Sequence, residues 1–281
     1  MKLKKILATV LAVASVASMA GCFKKADNVK VMKDILLTEE EYAFAIAKEN
    51  NDLLTEVNGL LATWEEDGSL DNLINSYFDD APNFTYTNKT ATPEEDDFVM
   101  ATNAAFPPFE FKKGSAFTGI DVQIAYNLAT AMNKDLFVFD MEFDSIIASV
   151  QNGESDIGMA GMTVNEERMK SVNFATPYYA SAQVITVLES DTTFDNCKTA
   201  ADVEAILKTK GTDYVIGTQN GTTGYMYSKG DEGFGYDGFT NLTTNGYTTG
   251  ALAMTDLKNK KINAVILDLQ PSLLIAESVN K

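Results

Sequence analysis

Leu136-Phe-Val-Phe-Asp-Met141, Ser145-Ile-Ile-Ala-Ser-Val-Gln151 and Asp156-Ile-Gly-Met-Ala160 follow one another with only short polar turns between them. The first and last read as apolar strands, the middle one as a short helix. Two strands joined through a helix form a crossover unit, the building block of a parallel sheet. The pattern extends outward on both sides. A strand over 98–102 and a helix over 121–132 precede it, and a strand over 184–188 follows. After a polar break near Ser190 come a helix over 201–209, a strand over 214–217, helices over 222–228 and 249–258, a strand over 262–267 and a helix over 271–278. The reading is an α/β protein of two such units.

Composition narrows the chemistry. The chain has 281 residues, enough for two units of ordinary size, with 45% hydrophobic and 22% charged residues. Its net charge of -18 would repel a phosphate backbone, which argues against nucleic acid as a partner. There are two cysteines, Cys22 and Cys197, and no histidine. A disulfide framework is excluded, and so are the commonest metal ligand and the commonest general base. No cofactor or metal is expected.

The amino end reads as an address. Lys2, Lys4 and Lys5 precede an apolar run over 6–16 that is too short for a comfortable membrane span. Met19-Ala-Gly-Cys22 then resembles a bacterial lipobox. That implies a signal peptide over 1–21, a lipid on Cys22 and a polar tether over 22–28. An ordinary signal peptide with an incidental cysteine is the alternative.

The next segment alternates briefly over 29–32, and 41–48 reads as a strand. Leu53, Leu54, Val57, Leu60, Leu61 and Trp64 then recur at helical spacing, with a second short helix over 70–78. Residues 79–97 change character, with Pro82, Pro93 and the acids 94–97, and read as a long linker.

Several stretches resemble the solute-binding proteins of polar amino-acid ABC importers. They include Ala101-Thr-Asn-Ala-Ala-Phe-Pro-Pro-Phe-Glu110, Ala160-Gly-Met-Thr-Val-Asn-Glu-Glu-Arg168, Gly217-Thr-Gln-Asn-Gly-Thr-Thr223 and Ala264-Val-Ile-Leu-Asp268. The resemblance implies a two-lobed, periplasmic-binding-protein-like type II fold with a two-strand hinge. It implies an extracytoplasmic, lipid-anchored monomer that binds a free amino acid and delivers it to a membrane permease. An enzyme of the cyclohexadienyl-dehydratase kind, or a ligand-binding sensor, are the alternatives on the same fold.

The order of parts departs from the family's. Residues 29–78 look like the family's carboxyl-terminal segment placed in front, which implies a circular permutation; a partial duplication is the alternative. The expected division gives lobe one residues 38–188, including the linker 79–97. Lobe two then takes 29–33 and 194–281.

A free amino acid brings a carboxylate, an ammonium and a side chain, and each buried charge needs a partner. Arg168, the sole arginine among 22 basic residues, is expected to grip the carboxylate with its two-pronged guanidinium. A surface pair with Glu166 or Glu167 is the plainer reading. Asp268, at a strand end, is expected to take the ammonium, although it also suits a helix cap. Gly161 and Thr163 sit where the backbone would approach the ligand. Thr222 is expected to clamp the carboxylate from lobe two. Phe106 and Phe143 are candidate walls, and Asn103 and Gln219 candidate readers of the side chain. A neutral amide at Asn103 leans towards an uncharged polar ligand, because the resemblance places an acid there in proteins that take basic ones.

Overall fold

The computed structural model describes residues 27–79 and 83–281. The expected signal peptide and Cys22 lie outside the described residues. Along the chain, β1 (Val29–Val31) leads to β2 (Glu40–Tyr42), β3 (Ala45–Ala47), α1 (Asn51–Glu66) and α2 (Ser69–Asp79). Next come β4 (Phe98–Thr102), the small strands β5 (Ala105–Phe106), β6 (Glu110–Lys113) and β7 (Ala116–Thr118), and α3 (Ile120–Ala131). Then follow β8 (Leu136–Asp140), α4 (Ile146–Gln151), β9 (Ile157–Gly158), α5 (Glu166–Ser171), β10 (Val172–Phe174), β11 (Tyr179–Ser181) and β12 (Gln183–Leu188). The remainder is α6 (Ala200–Leu207), β13 (Val215–Gln219), α7 (Thr223–Lys229), β14 (Thr243–Tyr247), α8 (Gly250–Lys258), β15 (Ala264–Asp268) and α9 (Leu269–Asn280).

Two five-stranded sheets organise these elements. Lobe one has the order β10-β3-β9-β4-β8, and lobe two the order β1-β12-β15-β13-β14. Each holds three parallel strands, produced by the crossover helices, and two antiparallel ones at one side. The sheets are therefore mixed rather than parallel throughout. The small sheet β5-β6-β7 and the hinge pair β2-β11 complete the fold.

Three expectations change. The strand read over 41–48 is two strands serving different sheets: β2 pairs with β11 in the hinge, while β3 sits between β10 and β9 in lobe one. Alternation of Tyr42, Phe44 and Ile46 cannot reveal that the sheet changes between them, since all three are buried in either case. The strand β12 belongs to lobe two, paired to β1 and β15, so the chain changes lobes at Tyr179–Gln183 rather than after 188. A largely apolar strand fits the middle of either sheet, and only the small residues Ala180, Ser181 and Ala182 mark the crossing.

Within 83–97, the expected linker packs as a strap. The main chain of Tyr86 exchanges hydrogen bonds of 2.8 and 2.7 Å with Phe117, and its buried hydroxyl donates to the carbonyl of Leu136. The amide of Asn88 donates to the Val138 carbonyl at 2.9 Å and accepts from the Val138 N–H at 2.9 Å, continuing the lobe-one sheet beyond β8. At the other end of the chain, Asn280 makes the same two-way contact with Val29, at 2.9 Å in each direction, and ties α9 to β1.

Candidate functional site

The residues singled out from the sequence meet between the lobes. Asn103, Phe106, Phe143, Gly161, Thr163, Arg168, Gln219, Thr222 and Asp268 all line one narrow cavity, with only about 10 Å3 of free space between the closely packed lobes. Glu110, Ala160 and Thr223 line it too, without having been expected. Two larger hollows, beside the strap at Asp135 and behind the hinge at Leu36, open to solvent and hold none of the nine.

Arg168 is placed by a short helix. The side chain of Asn165 accepts the Arg168 N–H at 2.8 Å and starts α5, which turns the guanidinium inward. Nη1 donates to the Thr163 carbonyl at 2.6 Å and Nη2 to the Gly221 carbonyl of lobe two at 2.9 Å. The rings of Phe143 and Phe234 lie 5.3 and 5.5 Å from Cζ. Among the described residues Arg168 makes no ion pair, and Glu167 binds Lys170 instead. Burial pushes the guanidinium down to about 10, against the opposing pull of Glu40 and Asp268, so it stays charged at neutral pH.

Four buried carboxyls lie in or next to the walls of the cavity, and Glu40 and Asp268 act on the cation. Asp268 stands at the N-terminus of α9 but makes no cap bond; its Oδ1 accepts the Tyr42 hydroxyl at 2.5 Å. Burial, and next the charge of Glu40, push its pKa from 3.8 up to about 7. Glu40 is fully engaged. Its oxygens accept from Thr38 Oγ1 and Thr163 Oγ1, both at 2.5 Å, and from Gln183 Nε2 at 3.0 Å. Asp121 accepts the Tyr178 hydroxyl at 2.5 Å and the Gly161 N–H at 2.9 Å, while burial raises it to about 7. Glu110 is fully buried, and neither of its oxygens meets a donor. Burial and then the charge of Asp121 push it well above the carboxylate range. Two buried carboxyls close together disfavour one another's ionisation, so Glu110 resists losing its proton.

The remaining walls divide by task. Gly161 has φ +52, and a Cβ there would lie 2.8 Å from the Phe106 ring, so only glycine lets this loop approach the cavity. Gln219 Nε2 donates to Asn103 Oδ1 at 3.0 Å, and Asn103 Nδ2 to the Met141 carbonyl at 2.7 Å, a bridge from lobe two to lobe one. The Thr222 hydroxyl is engaged in its own turn, donating to the Gln219 carbonyl at 2.8 Å and accepting the Tyr225 N–H at 3.4 Å. The next hydroxyl, Thr223 Oγ1, is buried without a partner. The cavity thus offers one unpaired guanidinium, one hydroxyl without a partner and one carboxyl of adjustable charge, a set that fits a small zwitterion.

Residues 98–270 match the family model for bacterial extracellular solute-binding proteins, family 3, and the chain belongs to that family. Among curated relatives, ABC transporter arginine-binding protein 1 of Escherichia coli (strain K12) is 32% identical over 170 residues, 60% of this chain and 62% of its own length. The arginine-binding extracellular protein ArtP of Bacillus subtilis (strain 168) is 37% identical over 87 residues, 31% of this chain and 34% of its own. The chain spans about a third to two thirds of the length of the curated relatives it matches. Among solved structures, the ancestral amino acid-binding protein AncCDT-1, a precursor of cyclohexadienyl dehydratase, aligns with a TM-score of 0.56. It is 27% identical, with 65% of this chain and 74% of that chain covered.

The raised carboxyls set a pH dependence. A group whose pKa rises on folding binds its proton more tightly in the native state, so stability falls as pH climbs from the unfolded to the folded value. For Asp268 that window runs from about 4 to about 7. The ligand-free protein is expected to melt at steadily lower temperature across this range, and Asp268→Asn to flatten part of the decline. A thermal melt series in matched ionic strength checks it, and an identical slope in the variant would count against the assignment.

Proposed function

We propose that this protein is the extracytoplasmic substrate-binding component of an ABC importer and closes its two lobes around a free α-amino acid. The observation that carries the reading is Arg168, a buried guanidinium with two carbonyl contacts and no carboxylate partner. A bound carboxylate supplies the missing charge, with the hydroxyl of Thr223 beside it. The ammonium then faces Asp268, whose ionisation it favours. For the side chain, the neutral pair Asn103–Gln219 favours an uncharged polar group, as in glutamine or asparagine. Relatives named for arginine make the cationic ligand the direct competitor. In this reading the protein acts as a monomer, anchored by a lipid on Cys22.

A thermal-shift screen of the twenty amino acids identifies the ligand, and an arginine response above all others would overturn the uncharged reading. Arg168→Ala is expected to weaken that ligand by about 3–5 kcal/mol, because it leaves the carboxylate without its charge partner. That is more than about a hundredfold in Kd. Calorimetry showing under threefold would remove Arg168 from the site. Cys22→Ser is expected to move the protein from the membrane fraction to the soluble one; retention in the membrane would refute the anchor.

A second reading keeps the fold and adds chemistry. Burial disfavours the ionised form of Glu110, as suits a general acid, and a structural relative is described as a dehydratase precursor. Release of product from a cyclohexadienyl substrate decides between the two.

We also propose that the chain is circularly permuted relative to the family. Support comes from where the match begins, at Phe98, although the hinge strand β2 and the interior strand β3 precede it. The strand β1 likewise lies in the sheet of β15, against α9. A rearranged chain that starts at Asp97 and carries 29–78 after Lys281 is expected to bind the same amino acid within about threefold. Loss of folding in that chain would make 29–78 something other than a displaced end.

A further inference from the structure

The carboxylate grip has a part that does not line the cavity. Phe234 lies in a glycine-rich loop of lobe two, between α7 and β14, in a short turn over Glu232–Phe234. Its ring stands 5.5 Å from the Arg168 guanidinium, while Phe143 of lobe one stands 5.3 Å away. The cation therefore meets one ring from each lobe, and Phe234 is not a wall of the cavity itself.

The loop is built to hold that ring. Asp231 and Tyr236 exchange main-chain hydrogen bonds of 2.8 and 3.0 Å, closing the turn, and the Asp231 side chain accepts the Phe234 N–H at 3.2 Å. At its neck, Gly238 has φ +67, and a Cβ there would lie 2.2 Å from the Gly230 nitrogen. Tyr236 stacks edge-on to Tyr227 at 5.4 Å, and Phe239 does so at 5.7 Å, which roots the loop in the lobe-two core. Its tip reaches lobe one: a Cβ on Gly233 would stand 2.6 Å from Glu167 Oε2, at the start of α5.

The geometry points to Phe234 as a positioning residue that completes the Arg168 clamp only when the lobes close. With the lobes apart, Arg168 keeps Phe143, which shares its lobe, and loses Phe234. On closure the second ring covers the guanidinium and excludes water behind it, so the charge acts in a drier site and holds a bound carboxylate more strongly. Phe234 thus couples closure to ligand retention without touching the ligand. This rests on the amino-acid reading given above.

The test uses the full chain with Phe234→Leu and Phe234→Tyr, alongside Arg168→Ala, and the twenty proteinogenic L-amino acids as probes. For each probe that binds the unsubstituted protein, Phe234→Leu is expected to raise Kd roughly tenfold, the order a desolvated cation–aromatic contact supports. The increase falls on the dissociation rate in stopped-flow measurements, because the contact forms only on closure. Phe234→Tyr keeps the ring and binds within about twofold. The ligand-free melting temperature of both variants stays near that of the parent, since the exposed loop carries little of the core. If Phe234→Leu binds within twofold while Arg168→Ala abolishes binding, the coupling is overturned and the amino-acid reading stands. Equal losses in the leucine and tyrosine variants also overturn it. If no probe binds the parent, both readings fail together.

Discussion

A guanidinium buried without a carboxylate partner is the constraint around which the site is arranged. Removing such a charge from water is costly, and two carbonyls and two rings compensate only in part. The nearby acids do not complete the pairing. Glu40 spends its oxygens on three donors, one of them the hydroxyl of Thr163, whose carbonyl receives Arg168. Thr163 therefore stands between acid and base and keeps them from collapsing into a pair. Asp268 is held by Tyr42 instead of capping α9. The protein keeps its positive and negative groups near one another but separately engaged.

The same strand that forms the hinge supplies much of this order. Glu40 and Tyr42 are alternate residues of β2, paired with Ser181 and Tyr179 of β11. Their side chains point into the protein, and Glu39 and Glu41 point out. Tyr42 reaches Asp268 in lobe two and rests edge-on against Phe109 in lobe one at 5.1 Å. A rotation at the hinge therefore moves groups that belong to the electrostatics of the cavity. The hinge strand thus holds two cavity residues in place, Asp268 through Tyr42 and Thr163 through Glu40.

How much of this was legible in the sequence depended on how local each signal is. Arg168 stood out by being the sole arginine, and Asp268 by ending an apolar strand. The main crossover strands and helices from Phe98 onward followed from periodicity, whereas β5, β6, β7, α5, β10, β11 and β14 did not. Glu40 did not stand out, because it lies in Glu39-Glu40-Glu41, which reads as solvated charge. The period of two from Tyr42 back through Glu40 to Thr38 was the available clue, since it places all three on the buried face. Glu110 and Asp121 lie on β6 and α3, and only the folded chain shows that both are fully buried. Phe234 sits among glycines and acids where nothing periodic marks it. Thr222 was expected to clamp the carboxylate from lobe two; it lines the cavity, its hydroxyl is engaged in its own turn, and the neighbouring Thr223 Oγ1 has no partner.

The place of 29–78 in front of the matched region costs the site little, and the hydrogen bonds explain why. A central strand is held by its neighbours on both sides, so β3 between β10 and β9 does not need a particular chain connection. The strand β1 is an edge, held on one side by β12. It is tied further by the two-way amide contact from Asn280, by Lys30 Nζ against Asp195 at 2.5 Å, and by burial of Val29 in the core. Lobe one is secured in the corresponding way by the strap, where Asn88 extends the sheet beyond β8 with the same two-way amide contact. Loop closure rises only slowly with length, so a strap long enough to reach is a small entropic burden once its side chains pack. What the site requires is the register of β2 against β11 and the strand ends that carry Arg168, Asp268 and their partners. Those are set by sheets and caps rather than by the order in which the chain joins them.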